Sequence, residues 1–318
     1  MSAAWKAVPE RSNVFWLRLL IGIGLLLGRH LARLLLLPTV IYFLVSGARA
    51  RRHSRAYLQR VLATKVGWRQ IARHYYCFAA ASFDRLYLAA GRDSDFEFQA
   101  RGAELFDPLV RDKRGAVLII SHVGSFEVLR LAARQREQRM RLRVLMNLQH
   151  SRMLNAVLRR LNPGFAADII DTGLEPSTLA LRVRDALDQG HMVGIMADRL
   201  DHPAERAASA QFLGSPARFP ATPWLLAAVL QVPVIFCLGL YLPGGRYALH
   251  FEQLGDGASV SRPQRAAHVQ QMVERYAGLL EKYLRQQPYN WFNFYDYWAA
   301  PAAATAASPS RGSGPSDA

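Results

Sequence analysis

Gly115-Ala-Val-Leu-Ile-Ile-Ser-His-Val-Gly-Ser-Phe-Glu-Val-Leu-Arg130 is the stretch from which the fold can be read. It opens on a short apolar run, Ala116 to Ile120, rich enough in β-branched residues to predict a buried strand. The run stops at Ser121-His122, passes Gly124 and resumes from Ser125 with helical spacing, putting Phe126, Leu129 and Ala133 on one face. A histidine therefore stands between a strand end and a helix start, the edge where open α/β sheets bind ligands. Five residues on, Glu127 falls in the first helical turn, from which a carboxylate can reach back to the imidazole.

Such a pair is a base with an orienter. A neutral imidazole can take a proton from a hydroxyl, and a carboxylate on its other nitrogen fixes the tautomer and stabilises the imidazolium. The backbone N–H groups of Gly124 and Ser125, where the helix opens, are candidates to face a developing oxyanion. That combination suits acyl transfer from a thioester directly to an alcohol, with no covalent enzyme intermediate. With nine histidines and 24 acids, chance supplies about 0.7 His-x4-Asp/Glu matches, so the spacing is weak by itself. A loop histidine is also more often structural than catalytic. Against this, it is the one such match in the chain, and it lies at a strand-to-helix turn.

Outward from this stretch, strands and helices alternate. Phe96 to Gly102 reads as a strand, and a helix-like Ala103 to Arg111 leads into the central run. After the 125–139 helix come a strand at Leu142 to Met146, a helix at 151–161 and a short strand at Ala167 to Ile170. Helix 177–189, closed by Gly190, is followed by a strand from His191 to Ala197. The pattern predicts an α/β domain over 93–298 whose central, mostly parallel sheet is flanked by helices. Asp198-Arg199 ends the last of these strands, on the same sheet edge as His122 if the two strands are parallel. The arginine there can clamp a substrate phosphate, or it can simply pair with Asp198 to close the strand end.

Beyond it, 200–211 reads as a polar loop carrying Asp201, His202, Glu205 and Arg206. A glycine–proline turn, Phe212 to Pro220, precedes an apolar helix from Thr222 to Leu230 that could wall an acyl groove or belong to the core. Val234 to Leu242 and Tyr247 to Leu254 flank Pro243-Gly-Gly-Arg246 as a hairpin, and a basic helix runs from about Arg265 to Arg285. The aromatic segment Pro288 to Trp298 is expected to pack in the core rather than anchor at an interface. The Ala/Ser/Gly/Pro tail, 299–318, is expected to be disordered.

The formal charge of +16 is concentrated at the front. Residues 1–92 hold thirteen Arg and two Lys against Glu10 and Asp84, which is +13 and leaves +3 for the rest. This front segment is also strongly apolar, and basic plus apolar points to an anionic membrane surface rather than to nucleic acid. Within 14–48 the apolar run is broken by Arg18, Arg29, His30 and Arg33, so no clean span of about 20 residues exists. An interfacial helix, a tilted span with snorkelling arginines and a buried helix of the domain all fit. Membrane attachment by an interfacial or partly inserted helical region over 1–92 is the favoured reading. Arg49 to Arg55 would then lie against cytoplasmic headgroups. The two cysteines, Cys77 and Cys237, sit in apolar runs as reduced core residues, and no metal-ligand spacing is present. Gly-x-Ser-x-Gly, Walker A, Gly-x-Gly-x-x-Gly and His-Glu-x-x-His motifs are all missing, so hydrolase, nucleotide-binding and zincin readings lack their signatures.

Over about residues 10 to 298 the chain resembles the lipid A biosynthesis acyltransferases of the lauroyl/myristoyl type, within the lysophospholipid (glycerolipid) acyltransferase-like fold. The likeness rests on the basic apolar N-terminus, Ser121-His122-x4-Glu127, Ala197-Asp198-Arg199, the Phe212-Leu-Gly-Ser-Pro turn and Trp291-Phe292. It implies transfer of a fatty acyl chain from acyl carrier protein or coenzyme A to a hydroxyl of a lipid A-like, glycolipid or other membrane-lipid acceptor. The location it implies is the cytoplasmic face of a bacterial inner membrane. His122 would be the base and Glu127 its partner; Gly124, Ser125, Asp198 and Arg199 would bind substrate, and no cofactor beyond the donor is implied. Ser125-Phe126 stands where these enzymes often carry Asn-Trp, and Leu200-Asp-His-Pro departs from the usual continuation. The chain is thus similar to a divergent branch, some of whose members are associated with fatty-acid-like or aryl-polyene biosynthesis. The rival from another class is a non-catalytic membrane lipid-binding protein with a degenerate site.

Overall fold

The computed structural model describes residues 36–135, 140–147, 168–200 and 205–298, with Leu31, Arg33 and Leu34 ahead of them. Three helices lead: α1 (Leu36–Ser46), α2 (Ala48–Leu62) and α3 (Trp68–Ala89). Residues 63–67 separate α2 from α3. Ala63 turns left-handed (φ 51°) after α2, and Gly67 restarts the helix with its N–H donated to the Gln70 side chain at 3.0 Å. Then follow β1 (Phe98–Arg101), α4 (Asp107–Arg111), β2 (Ala116–Ile120), α5 (Glu127–Gln135), β3 (Leu142–Met146), β4 (Ile169–Asp171), α6 (Pro176–Asp188) and β5 (Met192–Met196). The chain continues through β6 (Ala207–Phe212), β7 (Ser215–Pro220), α7 (Thr222–Leu230), β8 (Val234–Tyr241), β9 (Tyr247–Gly255) and α8 (Arg265–Gln286). The helix expected at 151–161 and the residues Asp201 and His202 lie outside the described residues.

Seven strands form one sheet in the order β1-β9-β8-β2-β5-β3-β4. All neighbours are parallel except the β8–β9 hairpin. Every residue of β2 is buried: Val117 and Ile119 join one core cluster, and Ala116, Leu118 and Ile120 join the other on the opposite face. That two-sided burial is why the run reads as continuous hydrophobe rather than alternation. Each of the Val, Leu and Ile side chains, fully buried, contributes about 1.5–3 kcal/mol.

One feature corrects the sequence reading. Residues 207–211, read as loop, belong to β6, which pairs antiparallel with β7 across Leu213-Gly214. Both turn residues have positive φ (50° and 78°), the geometry that a right-twisted two-residue hairpin requires. Ala210, Phe212, Ala217 and Phe219 point inward, so small side chains hid a half-buried strand. The described part of the front segment shares the core of the sheet. Tyr57, Leu58 and Ile71 are fully buried in the same cluster as Trp224, Tyr276 and Trp291. Among the described residues no helix is long and apolar enough to cross a membrane.

Arg33 is likewise turned inward. Its guanidinium pairs with the buried Asp84 carboxylate at 3.1 Å, and Asp84 also accepts from Tyr247 Oη at 2.8 Å. Cys77 and Cys237 are buried free thiols, and burial pushes both upward, Cys77 to about 11. The aromatic segment at 288–298 packs as expected, with Trp291 fully buried among the rings of Tyr57, Phe212 and Tyr297.

Candidate active site

Parallel pairing of β2 with β5 in the register Ile120↔Met196 sets the site. Two residues beyond those partners, on adjacent strands at one sheet edge, stand His122 and Asp198. The buried carboxylate of Asp198 accepts from His122 twice at Oδ1: from the backbone N–H at 3.1 Å and from Nδ1 at 2.9 Å. Its other oxygen, Oδ2, accepts from the Trp291 indole N–H at 3.0 Å and has Arg199 Nε 3.7 Å away. Burial opposes the charge on Asp198. The attraction and hydrogen bond of His122, the Arg199 charge and the Trp291 N–H nonetheless hold its carboxyl well below the usual carboxylate range. A carboxylate can only accept, so Nδ1 carries the imidazole proton and the Nε2 lone pair is left for the cleft. The His122 side chain is 39 % exposed and lines that cleft, a space of about 430 Å³.

The expected partner of His122 is corrected here. Glu127 does open α5, but its carboxylate is turned to Arg85 Nη2 at 3.3 Å and Arg130 Nη1 at 3.9 Å, and no hydrogen bond joins it to His122. Asp198 fills the orienting position because the parallel register brings it there, whereas the turn between β2 and α5 aims Glu127 at α3. Asp198 itself, expected to bind substrate, is fully buried behind the imidazole and does not line the cleft.

The amides of Gly124 and Ser125 are also otherwise engaged. Gly124 N–H donates to Asn290 O and Ser125 N–H to Gly239 O, each at 2.8 Å, so neither is free to face an oxyanion. The segment after β2 is stitched between β8 and the C-terminal segment by bridges Gly124↔Gly239 and Val123↔Trp291. A side chain at Gly124 (φ 60°) would put its Cβ 2.0 Å from Gly239 O, so this approach needs glycine. Both residues still line the cleft, and Ser125 Oγ is buried without a partner among the described residues.

Arg199 lines the cleft too, but part of its guanidinium serves the fold. Nη2 donates to Phe292 O at 2.7 Å, and the group lies 5.3 Å over the Tyr295 ring. The local-pairing reading of Asp198-Arg199 therefore describes it better than a free phosphate clamp. The apolar wall of the cleft comes from the ends of β3 and β5 and from α6 and α7, through Leu145, Met146, Leu179, Met196 and Leu226. Trp224, on α7, is core instead.

Sequence reading missed the role of Trp291. It lies 93 residues from Asp198, and an aromatic in an aromatic-rich segment carries no signal of an N–H aimed at a carboxylate. Its backbone is held in turn by His74 Nε2, 2.8 Å from Trp291 O, while His74 Nδ1 lies 2.8 Å from Ser54 Oγ. A carbonyl cannot donate, so Nε2 bears the proton and Nδ1 accepts from Ser54. Burial pulls His74 down to about 4. Between that value and the ordinary 6.5 the unfolded chain binds a proton that the native state does not. Stability contributed here is complete above about pH 6.5 and falls by about 3 kcal/mol as the pH drops to about 4. Melting curves across this window should therefore be less steep in pH for His74→Gln than for the wild type; parallel slopes would refute the assignment.

Among the described residues no cluster of three or more His, Cys, Asp or Glu could hold a metal ion. The arrangement is an imidazole held by a buried carboxylate and lining a largely apolar cleft. The family described as bacterial lipid A biosynthesis acyltransferase matches the chain over residues 12–299. A search of curated proteins gave no match.

Proposed function

Because the chain belongs to the bacterial lipid A biosynthesis acyltransferase family, we propose that it moves a fatty acyl chain from acyl carrier protein (or coenzyme A) to a hydroxyl of a lipid A-like, glycolipid or related membrane-lipid acceptor. The observation that carries the chemistry is the His122 imidazole, bound at Nδ1 by Asp198 and open to the cleft on its other side. In this mechanism both substrates occupy the cleft together. His122 Nε2 takes the acceptor's proton as the hydroxyl oxygen attacks the thioester carbonyl. The tetrahedral intermediate collapses, breaking the carbon–sulfur bond, and the imidazolium returns its proton to the leaving thiolate. Asp198 stabilises the imidazolium while it exists.

We place the protein at the cytoplasmic face of a bacterial inner membrane, against anionic lipid. Supporting this, Leu31, Leu34, Leu37, Ile41 and Val45 follow helical spacing and are all exposed, making an apolar stripe without a covering element among the described residues. Exposed Arg49, Arg52 and Arg55 follow at once on α2 and add attraction to anionic headgroups of about 1 kcal/mol each.

The test is to incubate detergent-solubilised protein with lauroyl-, myristoyl- and palmitoyl-carrier protein and the matching coenzyme A thioesters. Total host lipid serves as acceptor, and new acyl esters are read by mass spectrometry beside a His122→Ala control. A His122-dependent product is expected, and its mass identifies acceptor and chain length. No consumption of any donor would turn the reading toward a lipid-binding protein.

A further inference from the structure

Arg85 is a cation that the proposed chemistry does not use. It projects from α3 into the cleft that holds His122, alongside Phe78, Ser82, Phe126 and Phe292. One terminal nitrogen donates to Glu127 Oε1 at 3.3 Å, and the guanidinium rests 4.9 Å over the Phe126 ring. Its Nε is buried and without a partner among the described residues. Arg199 shares this pattern, but its bond goes to the backbone carbonyl of Phe292 and its Nε lies 3.7 Å from the buried Asp198 carboxylate, which ties it to the fold.

The partner of Arg85 is itself shared. Glu127 also lies 3.9 Å from Arg130, and Arg130 is bound in turn by Asp168 at 2.6 Å. Glu127 therefore fixes where the Arg85 fork sits while occupying one of its terminal nitrogens. A planar guanidinium that gives one hydrogen bond to the protein, in a largely apolar cleft, matches an anion that presents several oxygens, and phosphate fits this fork best.

We propose that Arg85 is an anion-binding residue of the cleft that takes a substrate phosphate group, with Glu127 positioning it. Two substrates could bring that phosphate: the phosphopantetheine arm of a thioester donor, or the headgroup of a phosphorylated lipid acceptor. The inference rests on the acyl-transfer reading only for these names.

Binding by the full chain in detergent tests it without turnover. The probes are 4′-phosphopantetheine and lysophosphatidic acid, each beside its dephosphorylated counterpart, pantetheine or monoacylglycerol. Arg85→Gln is expected to weaken one phosphorylated probe by about tenfold or more while leaving its dephosphorylated counterpart within about twofold. The probe affected identifies the source of the phosphate. Arg85→Lys should recover part of the loss, because it restores the charge without the fork. Glu127→Gln keeps the cation but frees its position, and should retain a reduced phosphate preference. Equal losses for phosphorylated and dephosphorylated probes, or no loss for either, overturn the proposal. Phosphate-selective binding in a protein that transfers no acyl group would leave this site standing and remove the proposed function instead.

Discussion

His122→Ala is expected to lower acyl-transfer kcat by about 10²–10⁴-fold, the range that a well-placed general base contributes. The expectation follows from where each ring nitrogen goes. Nδ1 is committed to Asp198, so the tautomer with a free Nε2 lone pair is selected before substrate arrives. Alanine removes that acceptor and leaves water as the only proton carrier to the hydroxyl. Because the side chain is 39 % exposed and its carboxylate partner retains Trp291 and Arg199, the fold should survive. Its melting temperature is expected within a few degrees of wild type, and sedimentation with anionic vesicles should not change. A variant that melts normally and keeps a tenth or more of the wild-type rate would remove His122 as the base.

Asp198→Asn is the second large effect, expected at about 10²–10⁴-fold in kcat by analogy with the carboxylate of a hydrolase triad. The amide has one acceptor where the carboxylate has two. Trp291 Nε1 needs an acceptor at Oδ2, and His122 N–H and Nδ1–H need one at Oδ1. If the amide oxygen faces Trp291, the NH₂ meets the backbone N–H of His122 and drives Nδ1 to accept, which moves the proton to Nε2 and removes the base. If it faces His122, the NH₂ opposes the indole N–H. Arg199 also loses its buried counter-charge, and breaking a buried pair costs about 3–5 kcal/mol. Both rate and melting temperature should therefore fall. Glu127→Gln makes the comparison decisive: its carboxylate touches Arg85 and Arg130, so its effect on kcat should be the smaller of the two. A larger kcat loss for Glu127→Gln than for Asp198→Asn would return the orienting role to Glu127.

What the sequence made legible was the part written in local periodicity. The buried strand at Ala116–Ile120, its parallel relatives Leu142–Met146 and Met192–Met196, the two strands of the hairpin around Pro243-Gly-Gly-Arg246 and the helix at Arg265–Gln286 all carry patterns spanning five residues or more. β6 escaped because Ala207, Ala208, Ser209 and Ala210 give alternation too little contrast to register. His122 was legible because a polar residue at a strand end is a local signal.

The partners of that histidine were not local. Spacing alone favoured Glu127, five residues away, over Asp198, 76 residues away. A turn's exact course decides where a carboxylate points, and that course here depends on Gly124 pressing against Gly239 and on Asn290 and Trp291 closing over it. The sequence by itself thus determined an α/β sheet with a histidine just past the end of a central strand, because strand and helix periods are set by the backbone. Only the tertiary structure decided which carboxylate holds the imidazole, that the glycine and serine amides are already used, and that Arg85 faces the cleft. Each of those depends on register between strands and packing between distant segments, which no spacing along the chain records.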